Sequence, residues 1–319
     1  MRNKKKKRSR KVLAVCVFVE ITALLVLLTV IFWNRGVMAW MQSFSVPVVK
    51  ELDVSGINSP NAVLMQVRGG KVLGAMNEKE RIYPASMTKI MTAIIAMEEL
   101  KSLDEEITLT MNDFYGLAER DATRAGFEPD ETVSARHLLY GVLLPSGAEC
   151  CLALAHYLNG TEEAFVEKMN QGARKLGMED THFCDCTGLH DPEHYSTVFD
   201  MAILLRYCLR NDDFREIIES PWHYTGPTNV HPDGITFYST LFNSLPDASV
   251  TEGKILGGKT GYTDDAGLCL ASYAEIGGME YILVTAGAPA GTGTPLHVED
   301  AQTIYNRLGE ACIKLSMRS

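Results

Sequence analysis

The 319-residue chain is predicted to fold as a multi-layer α+β domain, with an antiparallel sheet built from both chain ends and a helical cluster inserted between them. Three observations predict this. Short apolar runs punctuated by glycine occur between residues 62 and 76 and again after residue 253, the pattern of strands and hairpins. From Ser86 to about Glu219 apolar residues recur at three- and four-residue spacing, the pattern of amphipathic helices. A continuous apolar run stands apart near the start, so one transmembrane helix is expected ahead of the domain.

Taken in order, residues 1–11 form a basic tail whose charges are Arg2, Lys4 to Lys7, Arg8, Arg10 and Lys11. Residues 12–33, Val12 to Trp33, are mostly apolar and long enough to span a bilayer. Positive charge before such a span predicts a cytoplasmic N-terminus and an extracytoplasmic remainder, a single-pass protein of the bacterial cell membrane. Val37-Met38-Ala39 offers a small-residue cleavage site, so a signal peptide removed on secretion is the competing reading. Glu20 lies inside the span, where a carboxylate is costly. Residues 34–49 read as a linker and residues 50–319 as the folded domain, about 270 residues in length.

Within that domain Ala62 to Met76 reads as a hairpin turning at Gly69-Gly70. A helix is expected from Ser86 to Leu100, opened by Pro84, with Ser86 in its first turn. Further helical runs are Val133 to Val142, Glu149 to Leu158 and Glu162 to Leu176. Strands return at Lys254–Gly258, Gly267–Glu275 and Glu280–Ala286, with Gly277-Gly278 as a hairpin turn, and His297 to Leu315 closes as a helix.

Net charge is −10, and because the first eleven residues carry eight positive charges the remainder carries −18 with histidines neutral. So acidic an external part argues against nucleic acid and anionic lipid as its partners. Of eight cysteines, Cys16 lies in the apolar span and the others are external, an odd number that cannot all pair internally. Cys150 and Cys151 read as small apolar helix residues. Cys184 and Cys186 with His182 and His190 match no common zinc spacing, so no metal and no cofactor is expected.

Three short motifs carry chemistry. Ser86-Met87-Thr88-Lys89 places an amine three residues after a hydroxyl on one helix face, where it can act as the base a serine nucleophile needs. Free backbone N–H groups and the positive helix end there would face the oxyanion formed on an attacked carbonyl. Alone, Ser-x-x-Lys is a weak signal that a helix cap explains better. Leu143-Leu144-Pro145-Ser146-Gly147-Ala148 puts Ser146 in a turn between two helices, pointing to a cleft or serving as a cap. Gly257-Gly258-Lys259-Thr260-Gly261-Tyr262-Thr263 combines a cation and a hydroxyl at a strand end with glycines that admit a ligand closely.

In that order, the three motifs resemble the penicillin-binding and serine β-lactamase superfamily. The wider context is Tyr83 to Lys89, Leu143 to Ser146, Thr187-Gly188-Leu189-His190-Asp191 with His194 to Thr197, and Gly258 to Thr263. It is similar to the low-molecular-weight D-alanyl-D-alanine carboxypeptidases, peptidase family S11, over roughly residues 50 to 312. The resemblance implies a β-lactamase/penicillin-binding transpeptidase-like fold and a penicillin-sensitive serine D,D-carboxypeptidase acting on peptidoglycan stem pentapeptides, with β-lactams as covalent inhibitors. It makes Ser86 the nucleophile and Lys89 the proton acceptor, a role for the neutral amine that burial and the charge of Lys259 favour. Ser146 would relay the proton to the leaving amine, and Lys259 and Thr260 would hold the substrate carboxylate. Gly261 would complete that wall, and the backbone N–H groups of Ser86 and Tyr262 would form the oxyanion hole.

Two departures temper the resemblance. The middle motif of the family ends in asparagine, where this chain has Ala148, so a donor and an acceptor are missing unless a neighbour such as Glu149 or a water replaces them. Glu149 reads more simply as a solvated first-turn acid. Many relatives carry a further β-rich domain, for which the 58 residues after Gly261 leave no room, because they are needed to finish the sheet and its helix. A β-lactamase is the alternative enzyme, but Glu167 and Asn170 fall in an ordinary amphipathic helix rather than an active-site loop. An attenuated penicillin-binding or sensing protein is the non-catalytic alternative, motivated by Ala148.

Overall fold

The structure is a computed structural model that describes residues 49–317 apart from 246 and 292. The basic tail, the apolar span, nearly all of the linker and Cys16 therefore lie outside the described residues. Among the described residues no helix is long and apolar enough to cross a membrane.

The predicted early hairpin is β1 (Asn61–Gln66) and β2 (Val72–Met76). A 3-10 turn, Ala85–Thr88, leads into α1 (Lys89–Glu99), so Ser86 precedes the α-helix instead of sitting in its first turn. Two short paired strands follow, β3 (Glu106–Thr108) and β4 (Thr132–Ser134). Val133 and Ser134, expected to be helical, belong to β4, and α2 runs from Ala135 to Leu143 with the Ser134 hydroxyl capping His137 N–H. A serine whose hydroxyl accepts from a free first-turn amide marks a helix start, so the helix begins two residues after Val133. The cluster continues with α3 (Ala148–Asn159), α4 (Glu162–Leu176), α5 (Val198–Cys208) and α6 (Asp212–Glu219).

A second small hairpin, β5 (Trp222–Tyr224) and β6 (Thr236–Tyr238), and the short helix α7 (Thr240–Ser244) come next. The strands β7 (Ser249–Val250), β8 (Gly253–Thr263), β9 (Gly267–Ile276) and β10 (Met279–Ala288) and the helix α8 (Leu296–Ser316) finish the chain. The main sheet has the order β2-β1-β10-β9-β8-β7 with every pairing antiparallel. The hairpin from the front of the domain thus joins strands from its end through β1 and β10.

Both faces of the sheet are buried. Val63, Met65, Ile282 and Val284 face the helical cluster, and Leu64, Leu270 and Leu283 face α8 through Val298, Ile304 and Leu308. This explains the apolar density of β9 and β10, since a strand covered on both sides has no polar face to alternate. Burial of such side chains, at about 25 cal/mol per Å² of apolar surface, is the main stabilising contribution. The fold is the expected α+β sandwich of helical cluster, antiparallel sheet and helix.

Candidate active site

Ser86, Lys89, Ser146, Thr260, Gly261 and Tyr262 line one open cleft of about 610 Å³ between the sheet and the cluster. Four separate stretches of sequence meet there. The 3-10 turn presents Ser86, α1 begins with Lys89, the α2–α3 turn presents Ser146, and β8 forms the facing wall. The Lys89 Nζ donates to Ser86 Oγ at 3.0 Å and to the Thr187 carbonyl at 2.6 Å, with the lysine almost wholly buried. This is the nucleophile and base contact that serine activation requires.

Strained backbone flanks the nucleophile. Ala85 has φ +47° and Ser146 φ +73°, both left-handed without being glycine. Such conformations cost on the order of 1–3 kcal/mol each and persist where surrounding structure over-determines them. The Ser146 hydroxyl is buried and has no hydrogen-bond partner among the described residues, so it is free to bond a ligand.

The β8 wall approaches the nucleophile closely. A methyl group at Gly261 would lie 3.1 Å from Ser86 N and from Pro84 O, so a side chain there would have to push the nucleophile's turn back by a few tenths of an ångström. The Thr260 hydroxyl, at the cleft, bonds the Thr240 hydroxyl of α7 at 2.7 Å.

Lys259 has no exposed surface, and its Nζ donates to the Thr260 carbonyl at 2.8 Å. In the β8–β9 register it pairs with Ala271, on the face that meets the helical cluster and close enough to Lys89 to feel its charge, while Thr260 lines the open cleft. Burial, and then the charge of Lys89, hold its ammonium well below the ordinary lysine range.

Glu149 is not the solvated acid that its position in a first helical turn predicted. It is fully buried, and its Oε1 accepts from Ala125 N–H at 2.6 Å and Gly126 N–H at 2.9 Å, tying down the loop that brings Ala122 and Thr123 to the cleft. It does not replace the missing amide. Ala148 lines the cleft, and its N–H donates to the Thr123 carbonyl at 2.8 Å.

Cleft residues that escaped sequence reasoning include Arg120, Thr240 and His297. None sits in a motif, and only the packing of distant loops brings them together. The seven described cysteines are all free, with Cys150 and Cys151 buried in α3 as expected. Cys184 Sγ is 3.7 Å from His182 Nδ1, while His190 turns away to Asp265 at 3.4 Å. Among the described residues no group of three or more His, Cys, Asp or Glu is placed to hold a metal ion.

Comparison with known proteins agrees with this geometry. The sequence profile of the peptidase S11 family, D-alanyl-D-alanine carboxypeptidase, matches residues 48–290. The chain belongs to that family. It is 34% identical over 232 residues to D-alanyl-D-alanine carboxypeptidase DacF of Bacillus subtilis, covering 72% of this chain and 57% of that one. It is 30% identical over 247 residues to DacD of Escherichia coli, covering 74% and 60%. This S11 chain thus spans under two thirds of the length of these relatives. Among solved structures it resembles the Streptomyces K15 DD-transpeptidase, with a TM-score of 0.72, 26% identity and coverage of 80% and 98%. A D-alanyl-D-alanine carboxypeptidase from Mycobacterium tuberculosis gives 0.71 at 26% identity, with coverage of 82% and 94%. Both belong with the penicillin-binding fold that the motifs implied.

Proposed function

We propose that this S11 protein is a serine D,D-carboxypeptidase that removes the terminal D-alanine from peptidoglycan stem pentapeptides. The observation that carries it is the 3.0 Å contact between Lys89 Nζ and Ser86 Oγ, in a cleft shared with Ser146 and Thr260. Ser86 Oγ bonds to the penultimate carbonyl carbon as Lys89 takes its proton. The tetrahedral oxyanion faces the backbone N–H groups of Ser86 and Tyr262. Ser146 passes a proton to the departing amine, the C–N bond breaks, and an ester on Ser86 remains. Water then attacks that ester and returns Ser86. Lys259 and Thr260 orient the substrate carboxylate, and a β-lactam would stop at the ester stage. We further propose that Val12 to Trp33 anchors the chain with the domain outside the membrane, the side on which cell-wall peptides occur.

The test is release of D-alanine from a peptide ending in D-Ala-D-Ala by the full chain, beside Ser86→Ala. Release that disappears in the control is expected. No release by folded wild-type protein would overturn the hydrolase.

A second reading, an attenuated penicillin-binding or sensing protein, is favoured by one observation: the Ser146 hydroxyl is unpartnered beside Ala148. Ala148→Asn separates the two. A large gain in turnover supports attenuation, and unchanged turnover supports a site complete without the amide.

A further inference from the structure

Lys89 depends on the 185–188 loop. Its ammonium bonds the Thr187 carbonyl at 2.6 Å, shorter than its bond to Ser86. The position of that carbonyl is set from one atom. Asp185 Oδ1 accepts from Thr187 N–H at 2.7 Å, from the Thr187 hydroxyl at 2.9 Å and from Gly188 N–H at 2.6 Å. Three donors on one buried carboxylate oxygen leave the 185–188 loop little freedom.

The second oxygen faces a cation: Asp185 Oδ2 lies 3.6 Å from the Arg120 guanidinium. His194 Nδ1 accepts from Cys184 N–H at 3.2 Å, so Nε2 carries the ring proton and donates to the Thr88 hydroxyl at 2.8 Å. Thr88 lies between Ser86 and Lys89 in sequence. Gly188 packs directly on the same turn, since a methyl group there would fall 1.9 Å from the Ala85 carbonyl oxygen. Both arms of the loop therefore end on the 85–89 turn.

We propose that Asp185 is the positioning residue of this site, setting the Lys89 amine on Ser86 through the Thr187 carbonyl. The inference rests on the acyl-enzyme reading above. Asp185 touches neither substrate nor reacting atoms. A displaced carbonyl would let the amine drift from the serine, and a shift of about 1 Å at such a contact costs on the order of 10²-fold in rate.

The experiment measures acylation of the full chain by a fluorescent penicillin against concentration and pH, with Ser86→Ala as the blank and thermal unfolding to give the folded fraction. Asp185→Ala is expected to lower the limiting acylation rate by on the order of 10²-fold while the half-saturating concentration stays near that of wild type. A lowered limiting rate at an unchanged half-saturating concentration is a change that loss of stability alone does not produce. Asp185→Asn keeps the Oδ1 acceptor and restores most of the rate. The proposal is overturned if Asp185→Ala acylates at the wild-type rate, if its deficit vanishes on correction for folded protein, or if Asp185→Asn is equally slow. Failure of wild type to acylate overturns the proposed function with it.

Discussion

Lys259 shows how much a single residue's setting decides. A fully buried lysine facing a second lysine is held well below its ordinary range, so the unfolded chain binds that proton more tightly. Stability therefore rises with pH as the unfolded lysine value near 10.4 is approached, because the penalty for the buried charge disappears. Lys259→Met is expected to flatten that rise in denaturant titrations between pH 7 and 10, and to lower affinity for a peptide carboxylate. An unchanged slope would show that Lys259 carries no such penalty. Glu149 is the mirror case. Burial raises its carboxyl, so the unfolded chain ionises first and stability is lost as pH rises through the folded value. Glu149→Gln avoids that loss and keeps the acceptor for Ala125 and Gly126. It should unfold at no lower denaturant than wild type at pH 7, whereas Glu149→Ala, which leaves two amides bare, should cost about 1–3 kcal/mol.

Among the elements, the turn before α1 and the strand β8 do what no single side chain can. The 3-10 turn points Ser86 back along the helix it precedes, and Gly261 lets β8 run against it. The loop ending at Gly188 closes the third side. Gly188 has φ +81° and no room for a methyl group, so Gly188→Ala combines backbone strain with a clash against Ala85. It should slow penicillin acylation far more than Gly177→Ala, where the helix cap has open space. Equal effects of the two substitutions in a stopped-flow assay would remove the loop from the site.

At the scale of the whole molecule, stability comes from a sheet covered on both faces. Leu283, 1% exposed in the central strand β10, packs towards α8, and Leu283→Ala should cost about 2–5 kcal/mol in chemical denaturation. Acid should weaken the fold through two histidines. Burial pushes His223 and His297 down to about 4, so between the unfolded value near 6.5 and that point the unfolded chain binds more protons. Stability is expected to fall across that window as pH drops. The double variant His223→Gln and His297→Gln should fall less steeply, and identical slopes would discount both residues.

The α+β class and most strand and helix runs were legible in local spacing, which a short stretch of chain carries whole, and the resemblance of three motifs pointed to Ser86, Lys89, Ser146, Lys259, Thr260, Gly261 and Tyr262. Long-range packing decided that Lys259 is fully buried and faces Lys89. It also decided that Glu149 is buried, that Ser86 precedes its helix, and that Asp185 reaches Lys89 through Thr187. Burial and long-range contact depend on where distant segments pack, and local periodicity does not encode that.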